Sequence, residues 1–237
     1  MVCAIACTTT ETILDFNLVE GSINKLDSAY VIFQEQAYRF PLDAQGKGTL
    51  KMNIKEDGFA ILVYGKLSTN IYLKQGNTLK VIWDKEDWRG GKMQVVSDDG
   101  GINEYIRLNI EKSFKKATEC SFTLEEDSFM DKVEQTIREL SAGIDSTNFA
   151  PEIKDILKAS SKYEVLYWIY KYPRFHNFGK RMSQEEYLAF KRFNEYMFDK
   201  FEAHPEYLCL TAYREYAVNW FYELMQLRCF GEPYILK

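Results

Sequence analysis

The stretch Lys92-Met93-Gln94-Val95-Val96-Ser97-Asp98-Asp99-Gly100-Gly101-Ile102-Asn103-Glu104-Tyr105-Ile106 decides the fold, because the hydrophobic period changes inside it. Upstream, apolar and polar residues alternate, as a strand with one buried face requires. Downstream, Ile102, Tyr105, Ile106 and Ile110 recur at the spacing of one helix face. Gly100 and Gly101 lie between the two regimes and tolerate backbone angles that a side chain disfavours. The switch is therefore expected between Val96 and Ile102, with the glycine pair as its hinge.

Working back from that point, eight short segments read as strands. In Ile13–Val19, Leu14, Phe16 and Leu18 form a clean apolar face. Ala29–Phe33 follows the turn at Asp27-Ser28, and Gln34–Gln36 is a hairpin-length link into Tyr38–Leu42. Asp43-Ala44-Gln45-Gly46 is a turn, since Gly46 accepts a positive φ. Thr49–Asn53, Phe59–Tyr64, Asn70–Leu73, Thr78–Trp83 and Lys92–Val96 complete the set. Regular short strands with turn residues between them predict an antiparallel β-sandwich.

Working forward, Thr123 and Glu126 form a capping-box pattern ahead of Phe129, Met130, Val133, Ile137 and Leu140. Pro151 suits a first helical turn, and that helix should stop before Pro173. Ser183 and Glu186 make a second box, opening a helix through Leu188, Phe193, Met197 and Phe201. Pro205 opens a last helix carrying Leu210, Tyr213, Ala217, Trp220, Phe221 and Leu224. The expected organisation is α+β: residues 1–12 a signal remnant and tether, 13–97 the sandwich, and 98–237 a helical domain.

With 46% hydrophobic residues the chain has material for a packed core. A net charge of −5 gives no general attraction to phosphate backbones, which excludes nucleic acid as a first reading. Lys171, Arg174, Lys180 and Arg181 are the densest basic cluster and read as a solvated loop. No apolar run reaches the roughly 20 residues needed to span a bilayer.

The N-terminus reads Ala4-Ile5-Ala6-Cys7 followed by Thr8-Thr9-Thr10, the pattern of a bacterial lipobox and a polar tether. Cys7 is the expected acylation site. A signal needs a basic stretch and an apolar segment of about 7–15 residues ahead of the cleavage site, which the residues before Cys7 do not supply. Either the start lies upstream or the match is accidental. No cysteine pair forms C-x-x-C, so neither a dithiol couple nor a zinc knuckle is expected. Cys120, Cys209 and Cys229 read as buried apolar thiols.

Two segments carry a family resemblance: Ile71-Tyr72-Leu73-Lys74-Gln75-Gly76-Asn77-Thr78-Leu79-Lys80-Val81-Ile82-Trp83-Asp84, and Asp98-Asp99-Gly100-Gly101-Ile102-Asn103-Glu104-Tyr105-Ile106. Together they resemble the N-terminal β-domain, with its following helices, of bacterial thiol–disulfide interchange lipoproteins. Leu18-Val19-Glu20-Gly21-Ser22-Ile23 is similar to the first strand of that domain. The thioredoxin-like domain with its C-x-x-C is absent from this sequence, so no redox role carries over to any residue. The resemblance implies compartment and architecture: an exported, lipid-anchored protein, periplasmic or associated with the outer membrane.

Chemistry is sparse. His176 and His204 stand far apart with no complete ligand set beside either, so no metal and no cofactor are expected. There is no G-x-S-x-G, and no cysteine has a neighbouring histidine. The acidic runs at helix starts complement the helix dipole. Aromatics between Tyr163 and Phe178 read mostly as core, while Tyr172, Arg174 and His176 flank the breaker Pro173 and are the candidates for an exposed ligand or partner surface. The function expected is a non-catalytic binding or scaffold module that takes a protein partner or small ligand. The alternative is a hydrolase or other enzyme whose site is assembled from distant residues.

Overall fold

The computed structural model describes residues 11–19, 26–84, 92–176, 183–199 and 202–229, without the side chains of 184, 198, 199, 223, 224 and 226–229. Cys7 and residues 20–25 lie outside the described residues, as does the side chain of Cys229. The chain forms two compact units, residues 1–109 and 110–237. No helix among the described residues is long and apolar enough to cross a membrane.

The first unit is a sandwich of two four-stranded sheets. Its strands are β1 (Thr12–Leu18), β2 (Ser28–Phe33), β3 (Gln36–Pro41), β4 (Lys47–Met52), β5 (Gly58–Tyr64), β6 (Leu67–Leu73), β7 (Thr78–Trp83) and β8 (Gln94–Val96). One sheet runs β4-β1-β7-β8 and the other β3-β2-β5-β6. The alternation in β1 is realised: Leu14, Phe16 and Leu18 are buried and the residues between them are half-exposed. Phe16 lies at the centre of the core. Its ring meets Trp83 of its own sheet at 6.4 Å, and Phe40 and Tyr64 of the facing sheet at 6.1 and 5.9 Å.

One pairing departs from the all-antiparallel expectation. β1 lies parallel to β7, with Ile13 opposite Thr78 and Leu18 opposite Trp83. The chain leaves the first sheet after β1, and two excursions through the second sheet bring β7 back in the direction of β1. A period of two is the same for either partner direction, so alternation carries no sign of it.

The turn at Asp43 forms as expected. The Asp43 carboxylate accepts the Gln45 and Lys47 N–H groups, both at 2.9 Å, and Gly46 has φ 75°. At the β-to-helix switch, Gly100 and Gly101 have φ 73° and 86°. A Cβ at either would meet nothing within 4 Å, so backbone conformation, not space, calls for glycine there.

The first turns of α1 (Ile102–Thr118) are bound to the sandwich. The buried Asp99 carboxylate accepts the N–H groups of Gly101, Ile102 and Asn103, which caps the helix start. The Asn103 side chain, 1% exposed, then acts as a strand on the free edge of β6. Its Oδ1 accepts the Tyr72 N–H at 2.8 Å and its Nδ2 donates to the Tyr72 carbonyl at 2.7 Å, while Nδ2 also donates to Asp99. Lys74 and Asn77 donate to the Asp98 carbonyl. The two segments that carry the resemblance therefore hold each other. The period changes at Val96–Ile102 as expected, but the compact units divide later, after Asn109.

The second unit is helical. It comprises the remainder of α1, α2 (Glu126–Asp145), α3 (Pro151–Ile169), α4 (Tyr172–His176), α5 (Gln184–Leu188), α6 (Lys191–Asn194), a π-helical turn (Glu195–Asp199), a 3₁₀ turn (Pro205–Cys209) and α7 (Thr211–Cys229). Pro151 opens α3 as expected. The Ser183–Glu186 box is complete, with Ser183 Oγ accepting the Glu186 N–H and Glu186 accepting the Ser183 N–H.

Three helix readings need correction. Thr123 does not cap α2: the cap position is Glu125, without a side-chain bond. Thr123 pairs instead with the Ser121 hydroxyl, and the Glu126 carboxylate accepts the Phe193 N–H at 2.8 Å, so a tertiary donor has taken the box's second member. The helix begun at Ser183 ends at Leu188 and restarts at Lys191. Pro205 opens the 3₁₀ turn, and the last helix starts only at Thr211. On that helix Tyr213 and Tyr216 are buried, whereas Phe221 is 58% exposed beside Val218 and Tyr222.

Candidate ligand-binding site

The structure brings Tyr172 and His176 together, but as packing. α4 places the Tyr172 ring flat on Phe129, with centroids 3.8 Å apart, and its hydroxyl donates to the Leu124 carbonyl at 2.7 Å. Tyr172 is fully buried, contrary to the exposure expected beside Pro173. Pro173 sits in the first turn of α4, where its missing N–H is no loss, so the chain re-enters a helix instead of opening a loop. The His176 ring lies 5.1 Å from Tyr172, and its Nδ1 bonds the Phe122 carbonyl at 3.0 Å. Both residues thus pin the segment between α1 and α2. Arg174 is half-buried on the same short helix and already engaged. Tyr172, with its ring stacked and its hydroxyl bonded, has nothing left for a ligand.

A better seat lies elsewhere in the helical unit. A cavity of about 170 Å³ opens between α3, the π-helical turn, the 3₁₀ turn and α7. Tyr163, Leu166 and Tyr216, all buried, together with Tyr196 form its apolar and phenolic walls. Lys162, Glu202 and His204 bring charge and polarity. Burial, then the neighbouring tyrosines 213 and 207, then the carboxylates of Glu206 and Glu202 push the Tyr163 phenol well above its ordinary range. Burial does the same to Tyr216. Both phenols stay protonated at neutral pH.

Their hydroxyls differ in one respect. Tyr216 donates to the Met197 carbonyl at 3.2 Å, and Tyr213 beside them accepts the His204 N–H at 2.8 Å. Tyr163 is 4% exposed, yet its hydroxyl has no hydrogen-bond partner among the described residues. Its ring is fixed by Tyr213 at 4.7 Å and Tyr216 at 5.4 Å. The Tyr163 oxygen is open to the cavity, where a bound molecule can reach it as a hydrogen-bond partner.

His204 stands between two carboxylates. Its Nδ1 bonds Glu206 at 2.9 Å, and its Nε2 lies 3.9 Å from Glu202. That arrangement orients the imidazole but supplies no nucleophile. Cys209 bonds the Glu206 carbonyl through Sγ at 3.4 Å, and burial pushes its thiol above the ordinary range. Cys120 is buried, with its thiol pushed up for the same reason. Among the described residues no group of three or more His, Cys, Asp or Glu converges on a metal position.

A chemical consequence follows for the thiols. Iodoacetamide labelling of native protein, read by peptide mass spectrometry, should modify Cys209 at least about tenfold more slowly at pH 7 than a free cysteine, since the thiolate is the reactive form. Labelling faster than the free amino acid would mark Cys209 as an activated nucleophile.

Sequence reasoning placed most aromatics between Tyr163 and Phe178 in the core, and Tyr163 is buried there. It missed that Lys162, Tyr196, Glu202, His204 and Tyr216 join Tyr163 around one cavity. Glu202-Ala203-His204-Pro205-Glu206, a histidine with an acid two residues to either side, was the available signal. Comparison of the chain with protein-family models, with curated proteins and with solved structures finds no match.

Proposed function

We propose that this chain is an exported, lipid-anchored, non-catalytic binding module, akin to the N-terminal part of thiol–disulfide interchange lipoproteins, and that its helical unit takes a small ligand in the tyrosine-lined cavity. The observation that carries the binding reading is the Tyr163 hydroxyl, protonated, open to the cavity and without a hydrogen-bond partner among the described residues. Such a hydroxyl can both donate to and accept from a molecule seated in the cavity. Cys209, near His204 in sequence, is not an activated nucleophile, because burial raises its thiol.

A thermal-shift screen of small polar metabolites tests the seat. At least one compound should raise the melting temperature of the wild type and not that of Tyr163→Phe, which keeps the ring and loses only the hydroxyl. Equal shifts in both proteins, or none in the wild type, would remove the cavity from the account.

The anchor is tested separately. With its native upstream region in place, the gene product should label with palmitate and sediment with membranes, and Cys7→Ser should move it to the soluble fraction. Several acyl chains on one cysteine anchor firmly where a single chain does not. Soluble, unlabelled wild type in its native host would refute the lipobox reading.

A further inference from the structure

We infer that the ligand is a small zwitterion of the free α-amino-acid type with an uncharged side chain. This rests on the proposed seat and adds the chemical class of its occupant.

Size is the first constraint. The cavity holds about 170 Å³. An engineered cavity of roughly 150 Å³ admits benzene, so this one suits a molecule of about six to nine non-hydrogen atoms.

Charge is the second. Lys162 places its ammonium 5.6 Å from the Tyr163 ring centroid and makes no ion pair among the described residues. It is a cation without a counter-ion at the cavity wall. Glu202 is the opposite pole: an exposed carboxylate whose nearby polar partner is His204 Nε2, at 3.9 Å, beyond a good hydrogen bond. The second nitrogen of His204 is already given to Glu206. The cavity wall therefore carries one positive and one negative group, both exposed to solvent and within reach of a bound molecule.

Polarity around Tyr163 is the third. Burial and the neighbouring tyrosines are the main causes that raise its phenol, Glu206 and Glu202 add to them, and the Lys162 ammonium lies 5.6 Å from the same ring, so both signs of charge face a ligand here. The ligand's ammonium is assigned to the Tyr163 oxygen and the Glu202 carboxylate, both acceptors at the cavity wall. The ligand's carboxylate then answers Lys162, and Leu166 and the Tyr216 ring receive a short apolar side chain. A neutral polyol would leave both charges unanswered, and a simple amine or a simple acid would leave one.

Isothermal titration of the purified protein with glycine, L-alanine, L-serine and L-leucine tests the assignment, with methylamine, acetate and glucose as comparison probes. At least one amino acid should bind, more tightly than methylamine or acetate. Glu202→Gln and Lys162→Met, both surface changes that leave the fold intact, should each weaken it about tenfold or more, the expected loss of one charge-assisted contact. Tyr163→Phe should weaken it similarly. Binding of glucose or acetate in preference to every amino acid, or amino-acid binding indifferent to both Glu202→Gln and Lys162→Met, would overturn the class. If the amino acids fail while another compound shows Tyr163-dependent stabilisation, the class is wrong and the seat stands. If no compound shows that dependence, the seat falls as well.

Discussion

Replacing Asn103 by alanine is expected to destabilise the sandwich unit by about 4 kcal/mol, from two buried backbone groups left unpaired at roughly 1–3 kcal/mol each and a weakened helix start. The Asn103 amide is the only partner the structure gives to the outward N–H and C=O of Tyr72, and β6 is an edge strand with no neighbour beyond it among the described residues. The loss is read as a shift in the urea midpoint followed by the hydrogen exchange of β6 amides. Asn103→Asp separates the two halves of the clasp. It keeps an acceptor for the Tyr72 N–H but sets a carboxylate against the Tyr72 carbonyl and Asp99. The introduced carboxyl would have a raised folded-state pKa, so its deficit should be greatest at neutral pH and shrink as pH falls through that pKa. A loss under about 1 kcal/mol for Asn103→Ala would show that the edge is satisfied in another way.

The second large effect concerns Tyr172. Tyr172→Ala should cost about 3–5 kcal/mol, the usual range for emptying a buried aromatic site. The ring is fully buried between Phe129, at 3.8 Å, and Phe190, at 5.5 Å. Tyr172→Phe should cost about 1 kcal/mol, because it strips the Leu124 carbonyl of its donor. Tyr163→Phe should fall within about 0.5 kcal/mol of the wild type, since the hydroxyl it removes bonds nothing in the fold. The two Tyr→Phe changes thus report opposite roles. A structural hydroxyl loses stability and no binding; a ligand-facing hydroxyl loses binding and no stability. Equal stability losses at both positions would contradict that division.

The sandwich was legible because each strand writes its buried face at a period of two, and the turn at Asp43–Gly46 and the glycine hinge at 100–101 carry their own backbone requirements. The parallel β1–β7 pair was not, because alternation says which face is buried and nothing about a partner's direction. Helix starts were legible where capping is local, as at Ser183 and Pro151. They failed where a distant group intervened, as when the Phe193 N–H drew Glu126 away from its box. Tyr172 was misplaced by a sound local rule: proline usually ends a helix, but in a first turn it also begins one. The cavity was invisible for a plainer reason. Lys162, Tyr196, Glu202 and Tyr216 come from four separate segments, and only packing joins them.

Native mass spectrometry of the protein purified from its own host, set beside Tyr163→Phe prepared in the same way, tests the binding claim most directly. The wild type should carry a non-covalent adduct of a single small molecule, about 90–135 Da for an amino acid of six to nine non-hydrogen atoms, and Tyr163→Phe should lose it while keeping the same charge-state distribution. An adduct of the same mass and occupancy on both proteins, or none on the wild type at saturating amino acid, would contradict it.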